Sequence, residues 1–190
     1  MTMDCDAPIG DETLLDYWSG DLAAGEADRI EQHLFACGDC ATRLESMAAV
    51  GAGIARLARE GRVSGIISRT LLNRMQRDGL HVRFYSLRPG ETVPCAAFPG
   101  DDLVVASLRA DFEGVQTVAL KVTGPGDVSF GEVEEASFSR EDGEVLWATP
   151  GSLVRNMPST RLRLTLTATG ASRRVLGEYL LDHTAADAGL

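Results

Sequence analysis

His33, Cys37 and Cys40 stand in the run H-L-F-A-C-G-D-C, a His-x3-Cys-x2-Cys cluster inside a stretch that otherwise patterns as helix. Residues at i and i+4 share one face of a helix, so the His33 imidazole and the Cys37 sulfur can aim at a single point. Gly38 and Asp39 let the chain turn, and Cys40 returns toward that point two residues later. Three soft or borderline donors converging this way suit Zn²⁺, which takes Cys sulfur and His nitrogen in tetrahedral sites. A structural zinc site uses four protein ligands. Cys5, Cys95, His81, His183 and carboxylates remain to complete the set. Cys5 lies close enough in sequence for an N-terminal arm to fold back beside the second helix, and it is the expected fourth ligand. Asp4, Asp6 or a water at an open position are the competing choices. The expected metal set is therefore His33, Cys37, Cys40 and Cys5 around one ion.

That chemistry is structural rather than catalytic. A zinc hydrolase needs an open coordination position and a nearby general base, for which Glu31 or Glu12 are the candidates. No H-E-x-x-H or similar motif is present, and a thiolate-rich site lowers the Lewis acidity of the metal. The expectation is a protein that is not an enzyme. Zinc-bound thiolates are also oxidisable, so Cys37 and Cys40, with Cys5, could pair as a disulfide after metal loss.

The elements that must position these donors read as helices through the first 80 residues. Asp11 can cap a short helix with Leu14, Leu15 and Trp18 on one face, ended by Gly20. A second helix is expected from about Ala24 to Ala36, and a third from about Ala41 to Arg59. Gly61 breaks the pattern. A fourth amphipathic helix is expected from about Ser64 to Arg77, presenting Ile66, Ile67, Leu71 and Met75. From Leu80 the apolar period changes to two. Seven segments alternate or run apolar: Leu80–Leu87, Leu103–Leu108, Val115–Val122, Val128–Val133, Val145–Ala148, Leu162–Thr169 and Val175–Leu181. Each is bounded by Gly, Pro, Asp or Asn, which argues for a β-sandwich. Pro150–Asn156 is expected to form one helical turn between strands. The fold class is α+β in two domains: residues 1–79, a small zinc-bound helical domain, and residues 80–190, an all-β immunoglobulin-like sandwich.

Charge and hydropathy narrow the partners. The formal charge of −10 argues against direct binding to nucleic acid, because phosphate contact wants a basic surface. Residues 1–45 hold 11 acidic and 2 basic side chains, whereas residues 46–80 hold 2 acidic and 6 basic ones. An acidic head followed by a basic segment suits a protein partner with surfaces of both signs. No apolar run approaches the ~18–20 residues of a membrane span, so no membrane association is expected. The opening M-T-M-D-C-D is acidic where a secretory signal is basic, so the expected location is the cytoplasm, where thiols stay reduced.

The stretch from Glu12 to Leu44 (E-T-L-L-D-Y-W-S-G-D-L-A-A-G-E-A-D-R-I-E-Q-H-L-F-A-C-G-D-C-A-T-R-L) resembles the zinc-binding anti-sigma factor family. Tyr17 falls in its Leu-Leu-x-Tyr helix, Gly20-Asp21-Leu22 in its turn, and His33, Cys37 and Cys40 on its ligand triplet. Family members often supply the fourth ligand from a Cys or His somewhat nearer the first helix than Cys5. The resemblance is tight over about 35 residues and loose over about 80, and it is silent on residues 81–190. It implies a bacterial transcription regulator that sequesters a sigma factor of the extracytoplasmic-function class by wedging between that factor's two globular domains. It also implies a detached fourth helix making many of the contacts. Ile66, Ile67, Leu71 and Met75 would be the partner-binding anchors, unless they pack on the β domain or the third helix. Without a partner, the amphipathic fourth segment could pair with a second copy of the chain as a homo-oligomer.

In the strand-rich half, R-P-G-E-T-V-P-C-A-A-F-P-G-D-D (Arg88–Asp102) has a faint cupin flavour but lacks the several His that a cupin metal site needs. His81 and His183 read as solitary surface or structural histidines, and Cys95 as an inert, partly buried thiol. Trp147, Phe130, Phe138 and Tyr179 read as core. A zinc-headed sensor or interaction protein that has lost sigma binding, with a ligand- or peptide-binding sandwich, is the alternative function.

Overall fold

The computed structural model describes residues 5, 7–62, 64–170 and 173–185. Three helices open it: α1 (Asp11–Ser19), α2 (Ala24–Ala36) and α3 (Gly38–Arg59). α1 ends where Gly20 turns left-handed at φ 72°, and Asp21 N–H reaches back to the Asp16 carbonyl at 2.9 Å. This is the glycine-terminated stop that satisfies the last carbonyls of a helix. α3 begins three residues earlier than the sequence pattern suggests, so Cys40 lies in its first turn rather than in a loop.

The expected fourth helix is corrected by the structure. Gly65–Ile67 form strand β1, and only Arg69–Arg77 form helix α4. Two consecutive β-branched Ile residues favour the extended chain. Ser68 then caps α4, its Oγ accepting from the Leu71 N–H at 3.1 Å. That cap resets the helix start.

The remaining strands are β2 (Val82–Leu87), β3 (Thr92–Cys95), β4 (Leu103–Arg109), β5 (Thr117–Thr123), β6 (Ser129–Val133), β7 (Glu144–Pro150), β8 (Thr160–Thr169) and β9 (Arg174–His183). The short helix α5 (Gly151–Arg155) follows β7 directly. Two mixed sheets result, with strand orders β1-β7-β4-β2 and β3-β9-β8-β5-β6. Each contains one parallel pair, β2 with β4 and β3 with β9. An immunoglobulin sandwich has two antiparallel sheets, so the observed likeness extends only to two stacked sheets.

The inner faces meet in one apolar core, where Leu108 and Val145 of the first sheet face Leu120, Leu164 and Tyr179 of the second. The outer face of the first sheet is also apolar. Leu103 and Val105 of β4, with Leu146 and Ala148 of β7, pack under Ala55 and Ala58 of α3 and under Leu72 and Met75 of α4. β4 is therefore buried from Leu103 to Leu108 and apolar except for Ser107, because both its faces are covered. Alternation along β1 divides its two isoleucines. Ile66, opposite Trp147, packs against the inter-sheet core, while Ile67 packs under the helices.

This placement bears on the expected anchors. Ile66 and Ile67 are sheet residues, Leu71 is half-buried against the sheet, and Met75 is 2% exposed. Burying a side chain such as Met75 or Leu72 contributes about 1.5–3 kcal/mol, so the apolar side of α4 is already in use.

Candidate metal centre

The ligand geometry follows from how α2 hands over to α3. Cys37 closes α2, its N–H donating to the His33 carbonyl at 2.8 Å, and its own carbonyl accepts from Ala41 N–H at 3.1 Å as α3 begins. One extended residue, at φ −121°, ψ 104°, thus joins two helices. His33 in the last turn of α2 and Cys40 in the first turn of α3 come face to face, with His33 Nε2 3.3 Å from Cys40 Sγ. The arm before α1 brings Cys5 Sγ to 3.6 Å from the same nitrogen. The ligand atoms of Cys5, His33, Cys37 and Cys40 all lie within 4.8 Å of one another. Among the described residues no other group of three or more such side chains is close enough to share an ion. Asp4 and Asp6 lie outside the described residues.

The spacings fit zinc. Bond lengths of about 2.3 Å to sulfur and 2.0 Å to nitrogen give a tetrahedron an N···S edge of roughly 3.5 Å, and the two observed edges bracket that value. The Cys37 thiol is drawn down to about 7, first by the Cys40 backbone N–H and then by the Cys5 side chain. Cys5 is pushed up to about 11, chiefly by its hydrogen bond with Cys37 and then by burial. A lowered thiol pKa favours thiolate, the form that binds a divalent cation. The start of α3 adds further support, since helix N-termini favour thiolate.

An outer layer holds the arm in place. Arg43, one turn along α3 from Cys40, lies 4.0 Å from its sulfur, donates to the Ile9 carbonyl at 2.9 Å and pairs with Asp11. The guanidinium thereby ties the Cys5 arm and the start of α1 to the third ligand. Such second contacts orient ligands in metal sites. Arg43 was not singled out in the sequence; its i+3 position from Cys40 was the available signal.

Residues 11–41 match the family described as "Putative zinc-finger". Over those residues the chain is similar to that zinc-finger family. Its Cys/His/Cys/Cys cluster is compatible with one zinc ion. No curated protein matches the chain. Among solved structures, the N-terminal domain of phage TP901-1 ORF48 overlaps 55% of this chain and 99% of its own, at 9% identity and a TM-score of 0.35. A likeness that weak carries no functional weight.

The other singled-out residues lie away from the four-donor cluster. His81 is exposed beside Asp102, its Nδ1 3.7 Å from a carboxylate oxygen. His183 is 3% exposed, with Nε2 3.2 Å from the Met157 carbonyl and Nδ1 3.9 Å from Cys95 Sγ. Tyr179 is buried and donates its hydroxyl to the Arg109 carbonyl at 2.8 Å. Phe138 stacks on Phe112 with ring centres 4.7 Å apart. Phe130, expected in the core, is half-exposed on the edge strand β6 and rests on Gly124 instead. No described helix is long and apolar enough to cross a membrane.

Proposed function

We propose that this chain is a non-catalytic transcription regulator, a zinc-dependent anti-sigma factor that sequesters an extracytoplasmic-function type sigma factor in the cytoplasm by protein–protein binding. The observation that carries the reading is the four-donor cluster, of which His33, Cys37 and Cys40 lie in the Glu12–Leu44 motif and in the zinc-finger match over 11–41. A second observation supports it. Leu15, Trp18, Met47, Val50, Ile54 and Leu71 line an apolar groove across α1, α3 and α4. Val50 and Leu15 are exposed there, and Phe35 on α2 is 85% exposed. Patches of this kind mark interaction surfaces, and a helix laid into such a groove is a recurring recognition mode.

The test is co-expression with extracytoplasmic-function type sigma factors of the same genome, beginning with any encoded beside this gene. A complex that survives purification at micromolar concentration, and that Val50→Asp or Leu15→Asp weakens, supports the reading. Failure to form the complex with the zinc-loaded chain ends it.

One observation favours the alternative. The apolar side of α4 and both isoleucines of β1 are committed to the β-sheet, so a detached fourth helix is not on offer in this conformation. On that reading the zinc head is an interaction module that has lost sigma binding. It predicts a folded, zinc-loaded chain that binds none of those sigma factors.

A further inference from the structure

Between the two sheets, at the end covered by α5, lies a cavity of about 100 Å³ that neither the zinc head nor the groove above it uses. It exists because small side chains face each other there: Ala106 and Val104 on β4 and Val122 on β5 leave the inter-sheet space unfilled. Its wall carries no charged side chain among the described residues. Ser64, Cys95 and Thr149 add a few weakly polar groups, and the rest is aliphatic or aromatic. An apolar wall with a few polar groups is the kind of lining that holds small molecules, and the half-exposed Phe130 and Leu153 stand at its border.

We propose that this cavity binds a small, uncharged, largely hydrocarbon molecule, up to about the size of one benzene ring. Three considerations set that class. The volume limits size: an apolar protein cavity of about 150 Å³ stays dry and admits benzene or xenon, and this one is smaller but opens toward Phe130 and Leu153. The wall excludes charge, since a buried ion without a partner is strongly disfavoured. The one titratable group in it, the Cys95 thiol, stays protonated because burial pushes it up to about 11, with the Asp182 carboxylate adding to that. Cys95 therefore acts as a soft neutral surface, not as a thiolate nucleophile.

The site does not depend on the sigma-factor reading, and its position bears on the whole chain. Ser64, on its wall, belongs to the connection between α3 of the zinc head and β1. Gly61 in that connection rests against Ser152 of α5, next to Leu153. An occupant would touch both the covering helix and the path to the head.

The experiment uses the zinc-loaded full-length chain. Trp18 and Trp147 are its two tryptophans, and Trp147 lines the cavity. Trp18→Phe therefore leaves a single emitter at the site. Titration with benzene should change Trp147 emission saturably and raise the unfolding temperature, whereas benzoate and anilinium at matched concentration should do neither. Ala106→Leu fills the space and should abolish the benzene response while unfolding stays cooperative. Should that variant fail to fold, Leu153→Glu places a charge beside the cavity at an already half-exposed position and should weaken benzene binding about tenfold or more. Three results overturn the proposal: no saturable response to benzene, equal responses to the charged analogues, or undiminished binding in a folded Ala106→Leu or in Leu153→Glu.

Discussion

Arg69, the first residue of α4, donates from Nε to the Glu144 carboxylate on β7 at 2.9 Å, across 75 residues of sequence. Glu144 is 2% exposed, and its other oxygen accepts from Ser107 Oγ at 2.6 Å, with Arg109 3.6 Å away. One buried carboxylate thus fastens the start of α4 to the sheet that its apolar face covers. A buried charge survives only when paired and hydrogen-bonded, and this one is both.

Removing the cation alone should therefore cost more than removing an exposed pair. Arg69→Met leaves Glu144 buried with weaker compensation, and we expect a loss of about 3 kcal/mol in denaturant unfolding. The exposed pair Arg161–Asp182, broken by Arg161→Met, should cost less than about 1 kcal/mol. Equal losses in the two variants would show that Glu144 relaxes to solvent when unpaired.

Metal removal should unfold the head before the sandwich. Because metal binding free energy is folding free energy in small metal-bound domains, chelation or Cys37→Ser should erase helical circular dichroism from α1 and α2. The near-ultraviolet signal of Tyr179 should persist. Retained helix after complete zinc loss, by metal analysis, would contradict this.

Trp18 packs directly on Gly51 of α3: a Cβ at that position would lie 2.4 Å from the indole ring. Gly51→Ala gains about 0.5–1 kcal/mol in helix propensity but displaces the ring, and overpacking costs about 1–3 kcal/mol. The clash should win. The variant is expected to melt earlier and show red-shifted Trp18 emission, and a higher melting temperature would mean that the ring swings clear.

Acid should loosen the β2–β4 edge through Asp101. Burial alone would raise its pKa, but Arg83, donating at 2.6 Å, and the Phe98 N–H, at 2.7 Å, outweigh it and hold the carboxyl below its ordinary 3.8. A depressed folded-state pKa gives stability that is fully present above the unfolded value and is lost as pH falls through the folded one. Wild-type stability should thus decline from about pH 4 downward. Asp101→Asn should be less stable than wild type at neutral pH and show a shallower acid slope. Parallel pH profiles of the two proteins would remove Asp101 from the account.

Much of this architecture was legible from residue order. Helix α2 spans the expected Ala24–Ala36, and α5 falls within Pro150–Asn156. The seven alternating segments all became strands, because a period of two with Gly and Pro punctuation has no helical reading. Two strands were missed for physical reasons. β3 is four residues long, contains Pro94, and is held by parallel pairing to the distant β9, which leaves no local periodic trace. β1 was hidden inside an apparent helix whose true start was the Ser68 cap. The three clustered donors were readable from spacing alone, whereas the cavity beside Ala106 depends on two sheets meeting and leaves no pattern in any one segment.

The edge position of β1 has a consequence for cutting this chain. A fragment ending near residue 79 would carry β1 away and leave the β7 backbone from Leu146 to Ala148 without its antiparallel neighbour on that side. It would also strip Leu103 and Val105 of their cover. A protein severed between its zinc-bound head and its sandwich would therefore expose a sticky flank on one piece and bare isoleucines on the other, and amide exchange in β7 should slow or quicken with events in the helices.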